Sequence, residues 1–269
     1  MSKAEALKSL VSNPLHRREF AKKMAMGAFA VAGVAALPGS VNLKADGITD
    51  IDILNFALNL EYLEAEFYSV ASTGQRISET GIGVTGKGRA GATVGGAKVS
   101  LDDFTGFVAQ QITIDEQAHV NFLRAALKGE AVAKPDINLD ALGVGFKNQA
   151  EFLTVAAIFE DVGVSAYGGA APLIDSSQIL SAAARIALTE AQHAGVLRSL
   201  VSRAALPIPQ VDPKAIPTIG NTNGRLYFVD GNGLSVVRTP SEVLKIVYAG
   251  GTSSGGFFPS GVNGLITTA

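Results

Sequence analysis

Two of the three histidines in this 269-residue chain, His119 and His193, each follow a glutamate by three positions, Glu116 and Glu190. On a helix, residues i and i+3 project from one face, so each pair can offer a carboxylate oxygen and an imidazole nitrogen to one point. That donor set suits divalent cations, and because the chain has no cysteine any metal must be held by nitrogen and oxygen. With 12 glutamates in 269 positions, two such pairs are on the order of a 1% coincidence. The third histidine, His16, lies in an N-terminal segment set apart below.

The residues around each pair say which way it faces. Val108, Ile112, Glu116, His119 and Leu123 form one helical row that is apolar apart from the pair, and Ala183, Ile186, Glu190, His193 and Leu197 repeat it. Both pairs are therefore expected to face the core, where an ionised carboxylate is costly unless paired or coordinated. A row in another helical stretch, Leu153, Ala156, Glu160, Val164 and Tyr167, adds Glu160, whereas Asp161 falls with Thr154 and Ser165 on a polar side. In the first helical stretch Glu66 shares a face with Asn59, Tyr62 and Ser69 and is expected to be solvated. Glu61 and Glu64 both interrupt apolar rows there, and periodicity does not choose between them.

An internal repeat favours Glu61. Sliding the first helical stretch onto the third by 99 residues aligns Glu61 with Glu160 and Tyr68 with Tyr167, and sets Glu64 opposite Gly163. Sliding the second onto the fourth by 74 residues aligns the two Glu-x-x-His pairs and then Leu123-Arg124 with Leu197-Arg198. The arginine match is also what two solvated helix ends would give. Whether Glu64 replaces or supplements Glu61 stays open at this level.

Four buried glutamates would repel one another, and some would stay protonated, unless cations were present; two divalent ions would cancel four carboxylate charges. Oxygen and nitrogen donors without thiolate suit iron or manganese, with zinc also compatible. The expected metal ligands are Glu61, Glu116, His119, Glu160, Glu190 and His193. Tyr68 and Tyr167 could hydrogen-bond the carboxylates, and with the four glutamates they are the candidate catalytic groups. A single Glu-x-x-His is more often a satisfied core hydrogen bond; both pairs together with the Glu/Tyr repeat argue against a metal-free structural role.

These residues need four helices to position them. Helical patterns run from about Ile48 to Ala71 with Thr49 or Asp50 as cap, from a Ser100 or Asp102 cap to about Lys128, from about Lys147 to Tyr167 ending at Gly168-Gly169, and from Ser176 or Ser177 to about Ala205. Residues 72–100 read as a long glycine-rich excursion of the kind that often forms a lid or cover. After the Pro207 and Pro209 pair the chain changes character: residues 226–237 alternate around Asp230-Gly231-Asn232-Gly233 like a hairpin, and Ser241 to Ala249 look like a short helix. A glycine-rich end follows, whose Phe257 and Phe258 are expected to pin the tail to the bundle. The fold class is all-α: a four-helix bundle over residues 46–205 and a C-terminal extension over 206–269 packed on it.

A formal charge of −2 with no basic cluster gives no basis for nucleic-acid binding. Residues 16–23 carry Arg17-Arg18, Phe20 and Lys22 ahead of a mild apolar run from Met24 to Leu37. This resembles a twin-arginine export signal, and the run is too short and too rich in Ala and Gly for a stable membrane span. Residues 1–45 are therefore expected to be a signal peptide, and removing them would leave a chain of charge −7. The resemblance implies the twin-arginine export machinery as a partner, a periplasmic or otherwise exported destination, and folding with any metal before export.

The constellation resembles the ferritin-like superfamily, in which two helices each give a glutamate and two each give Glu-x-x-His. It is most similar to the exported ferritin-like proteins grouped with desiccation-related proteins. Leu58-Asn59-Leu60-Glu61-Tyr62-Leu63-Glu64-Ala65-Glu66-Phe67-Tyr68, the loop from Thr93 to Lys98, and the tail with Arg238-Thr239-Pro240, Ile246-Val247-Tyr248, Gly255-Gly256-Phe257-Phe258-Pro259 and Gly261-Val262-Asn263-Gly264 carry the likeness. It implies redox work on a small oxidant, peroxide or oxygen, in stress protection, without fixing the reaction. The competing expectation is a non-enzymatic protective or interaction protein of the cell envelope whose metals brace the bundle. Neither reading specifies the oligomeric state, and a homo-oligomer fits both.

Overall fold

The computed structural model describes residues 47–206, 227 and 229–269. Four long helices form the body: α1 (Asp50–Thr73), α2 (Asp103–Leu127), α3 (Gln149–Ala170) and α4 (Ser177–Arg203). Each begins on a residue whose side chain accepts a free backbone N–H of the first turn: Thr49, Asp102, Asn148 and Ser176. Thr49 and Asp52 cap each other reciprocally, and Gly74 closes α1 in a left-handed conformation at φ 84°.

The helices differ in kind. α1 and α3 are buried around nearly their whole circumference, as expected of helices apolar on all sides, while α2 and α4 bury only one stripe. α1 packs along α2 and α3 along α4. The two inner helices thus carry Glu61 and Glu160, and the two outer ones carry the Glu-x-x-His pairs inward.

The outer face of α1 is covered by the glycine-rich excursion. A two-residue strand β1 (Thr93–Val94) pairs in parallel with β2 (Ile137–Asn138), Thr93 beside Ile137, and Lys87 bridges to Val132. This cover overturns the expectation that Glu66 is solvated. Glu66 is fully buried; it accepts from the Thr93 hydroxyl at 2.7 Å and from the Ile77 N–H at 3.3 Å, with Lys134 Nζ 3.5 Å away. A polar face read on an isolated helix need not meet water when another segment brings polar partners to it.

The same correction applies to Asp161 on α3, which is buried and ion-paired with Arg198 of α4. α3 also does not stop at Gly168-Gly169 but continues to Ala170. A Cβ at Gly169 would lie 1.9 Å from the Arg238 carbonyl oxygen, so this glycine lets the C-terminal segment cross the helix; it is not a helix terminator. Arg238 donates to Ser165 Oγ at 2.6 Å and is itself buried.

Beyond that crossing, α5 (Pro240–Val247) begins at a Thr239–Glu242 capping box with Pro240 in the first turn. Of the expected hairpin, Val229 bridges Ser235 around Asp230, whose carboxylate accepts from the Asn232 and Leu234 N–H groups. Phe257 packs edge-on against Phe159 of α3, and Asn263 exchanges hydrogen bonds with Asn59 of α1 while donating to the Arg89 and Ala133 carbonyls. One residue of the tail thereby ties together α1, the excursion and the α2–α3 connection. The leader over residues 1–45 and the Pro-rich stretch over 207–226 lie outside the described residues. Among the described residues no helix is long and apolar enough to cross a membrane.

Candidate metal centre

The six side chains singled out by spacing converge between the four helices. Glu61, Glu116, His119 and Glu190 form one group whose donor atoms all lie within 4.8 Å of one another, and Glu116, Glu160, Glu190 and His193 form a second. Glu116 and Glu190 belong to both, so they occupy the middle and the remaining residues the two ends. His119 Nδ1 lies 3.3 Å from Glu61 Oε2 and 3.3 Å from Glu190 Oε1; His193 Nδ1 lies 3.1 Å from Glu116 Oε1 and 3.2 Å from Glu160 Oε2. The imidazole centroids are 6.4 Å apart.

Burial makes this arrangement expensive for the protein alone. Glu61 is 1% exposed and Glu116, Glu160 and Glu190 are 0% exposed. Both oxygens of Glu116, Glu160 and Glu190, Glu61 Oε2, and Nδ1 of both histidines have no hydrogen-bond partner among the described residues. Buried polar atoms are nearly always satisfied, so a set of orphans aimed at common points marks where a bound group belongs. Four carboxylates and two imidazoles have the donor chemistry of divalent cations, and the residues fit such ions.

The titration of the metal-free centre reflects the same crowding. Burial and the neighbouring Glu61 and Glu160 carboxylates push Glu116 up to about 7, and burial with Glu116 and Glu160 drives Glu190 well above the carboxylate range. Burial alone would raise Glu61, but His119 and the Tyr167 hydroxyl outweigh it and hold Glu61 low. Burial opposes protonation of His193, yet the surrounding carboxylates raise it to about 11, and His119 is raised as well. Without cations, the centre balances its charge with protons.

The other residues divide. Tyr167 donates to Glu61 Oε1 at 2.5 Å. Tyr68 is more deeply buried than Tyr167, its hydroxyl has no hydrogen-bond partner among the described residues, and burial with the nearby Glu160 carboxylate pushes it well up. Glu64 is buried but outside both donor groups. Its Oε1 sits 3.1 Å from where a Cβ of Gly163 would be, and Glu190 Oε2 2.6 Å from it, so the carboxylate of Glu64 uses the space that the missing side chain leaves. Burial and the four central glutamates raise Glu64 well above its usual range. Ile53, Phe56, Ala57, Ala166 and Ala170 line an apolar cavity that meets Glu61, Glu64 and Tyr167.

Sequence reasoning missed Asp115. Its Oδ2 lies 3.1 Å from His193 Nε2, the ring nitrogen that points away from the centre. The signal was present as an acid immediately before Glu116, but reading only the apolar row passed over a side chain that is 46% exposed.

The chain belongs to the ferritin-like family, whose domain model matches residues 49–203. It is 26% identical over 192 residues to the desiccation-related protein PCC13-62 of Craterostigma plantagineum, an alignment covering 65% of this chain and 59% of that protein. It is 22% identical over 266 residues to the ferritin-like catalase Nec2 of Nesocodon mauritianus, covering 81% of this chain and 84% of that protein.

Proposed function

We propose that this protein is an exported di-metal carboxylate protein, loaded with iron or manganese, that performs redox chemistry on peroxide or oxygen in stress protection. The observation that carries the reading is the set of orphaned carboxylate oxygens and imidazole nitrogens converging on two overlapping groups. Glu61, Glu116, His119 and Glu190 would hold one ion, and Glu116, Glu160, Glu190 and His193 the other. A redox-active pair there supplies two-electron chemistry, such as converting two peroxides to two waters and one dioxygen without an outside reductant. Similarity to a ferritin-like catalase favours peroxide over oxygen.

The chain's own residues would orient and insulate that chemistry. Tyr167 fixes the Glu61 carboxylate through its hydroxyl, and Ile53, Phe56 and Ala57 keep the approach to Glu61 and Glu64 apolar. Such a lining suits a small uncharged oxidant. The twin arginines Arg17 and Arg18 support export in the folded state.

Elemental analysis of protein produced with iron or manganese, paired with a peroxide assay, tests the proposal. Metal near two per chain with brisk peroxide turnover is expected; far less than two would overturn it. Metal-loaded protein inert to both peroxide and oxygen plus reductant would leave the ions as braces of the bundle. Replacing Arg17 and Arg18 with lysine should trap the precursor inside the cell, and unchanged export would refute that part.

A further inference from the structure

The 74-residue shift that superimposes Glu116 on Glu190 and His119 on His193 sets Asp115 against Thr189. Asp115 Oδ2 takes up His193 Nε2 at 3.1 Å, which fixes the ring and leaves Nδ1 as the donor atom facing the carboxylates. The counterpart position around His119 has no carboxylate. Thr189 turns its hydroxyl back to the Arg185 carbonyl at 3.3 Å, and among the described residues nothing hydrogen-bonds His119 Nε2. His119 and Thr189 instead line a cleft between α2 and α4, together with Phe122, Ala182 and Arg185.

A carboxylate behind a ligating imidazole raises its basicity and holds its orientation, and losing such a partner typically weakens metal affinity 10–100-fold. An uncompensated imidazole beside a water-accessible cleft with a cationic side chain has neither advantage. We propose that the two metal positions are unequal by construction: Asp115 makes the His193 position the tight, retained one, and Thr189 leaves the His119 position weak and exchangeable through the α2–α4 cleft. The inference rests on the reading of the six residues as a two-metal centre, but it concerns Asp115 and Thr189, which are outside the donor set. Asp115 is a positioning residue here.

Manganese(II) binding to the metal-stripped full chain, followed by equilibrium dialysis, separates the possibilities. Wild type should bind in two classes differing by roughly 10-fold or more. Asp115→Asn should weaken the tight class by about 10–100-fold and leave the weak class in place, whereas Thr189→Asp should tighten the weak class. His119→Gln should remove only the weak class. Asp115 is half-exposed, so a retained melting transition of Asp115→Asn will show that the variant folds. Two ions bound in one class unaffected by either substitution, or Asp115→Asn weakening both classes equally, would overturn the asymmetry alone. No manganese bound at all would overturn the metal reading and the asymmetry with it.

Discussion

The α1–α2 half of the bundle and the α3–α4 half present the same inward donors on different supports. Glu61 answers Glu160, and Glu116 with His119 answers Glu190 with His193. The match extends outward: Arg124 donates to the Tyr62 hydroxyl, and at the corresponding positions Arg198 pairs with Asp161. Behind the donors the halves part. Tyr167 is hydrogen-bonded to Glu61 while the Tyr68 hydroxyl has no hydrogen-bond partner among the described residues, Glu64 stands opposite Gly163, and Asp115 stands opposite Thr189. The donor set is thus duplicated while the residues that tune it are not, and a centre can be symmetric in charge yet unequal in chemistry.

The comparison breaks most sharply at its middle. Glu116 and Glu190 are common to both groups, so Glu116→Gln and Glu190→Gln should each lower bound metal from about two per chain to well under one and abolish peroxide turnover. Elemental analysis decides, and a variant retaining one tightly held ion would show that each half works alone. A smaller contrast is expected between the tyrosines of the metal-stripped protein. Tyr167→Phe removes a hydrogen bond to a buried carboxylate, costing about 1.5–3 kcal/mol, whereas Tyr68→Phe removes a hydroxyl without a partner and should be near neutral. Equal losses of Tm would refute the difference. Gly163→Ala tests the Glu64 side. Its Cβ would press on Glu190 Oε2, at about 1–3 kcal/mol for overpacking, against a helix-propensity gain of about 1 kcal/mol. A net fall in Tm with weaker manganese binding is expected, and a rise would show that the glycine is not needed.

The smallest effect is on pH. Glu116, raised from 4.5 to about 7, and His193, raised from 6.5 to about 11, both bind protons more strongly in the folded, metal-stripped protein than in the unfolded chain. Stability they contribute is complete below the unfolded values and is lost as pH rises through the folded ones, Glu116 over pH 4.5 to about 7 and His193 over pH 6.5 to about 11. Glu61 is shifted the other way, but its unfolded value of 4.5 puts its change at lower pH. The Tm of stripped protein should therefore fall between pH 6 and 8, each 1 kcal/mol lowering it by roughly 2–4 °C. Loading with manganese should flatten the profile and release protons into a weakly buffered solution. A stripped protein that becomes more stable over this range would overturn the account of the centre as proton-balanced.

Much of the centre is legible in the amino-acid sequence. The rows through Glu116 and Glu190 fall on buried faces, and the 99-residue shift separates Glu61 from Glu64 for a reason visible in three dimensions: Gly163 makes room for Glu64 beside Glu190. The misread positions share one cause. Glu66 and Asp161 lie on faces that look polar along a single helix, yet Lys134 with Thr93 covers the first, and Arg198 covers the second. Gly168 and Gly169 look like a helix stop because the segment they admit, at Arg238, is far away in sequence.

By itself the sequence determined which residues face inward together within each helix, because i and i+3 share a face whatever the helix packs against. It also determined, through the repeat, that the donors come in two matching sets. Only the tertiary structure decided that Glu116 and Glu190 stand between the two histidines, that Asp115 of α2 reaches His193 of α4, and which polar faces are covered. Those relations depend on how helices cross and which distant segment lies over them, and a periodicity confined to one helix carries no information about either.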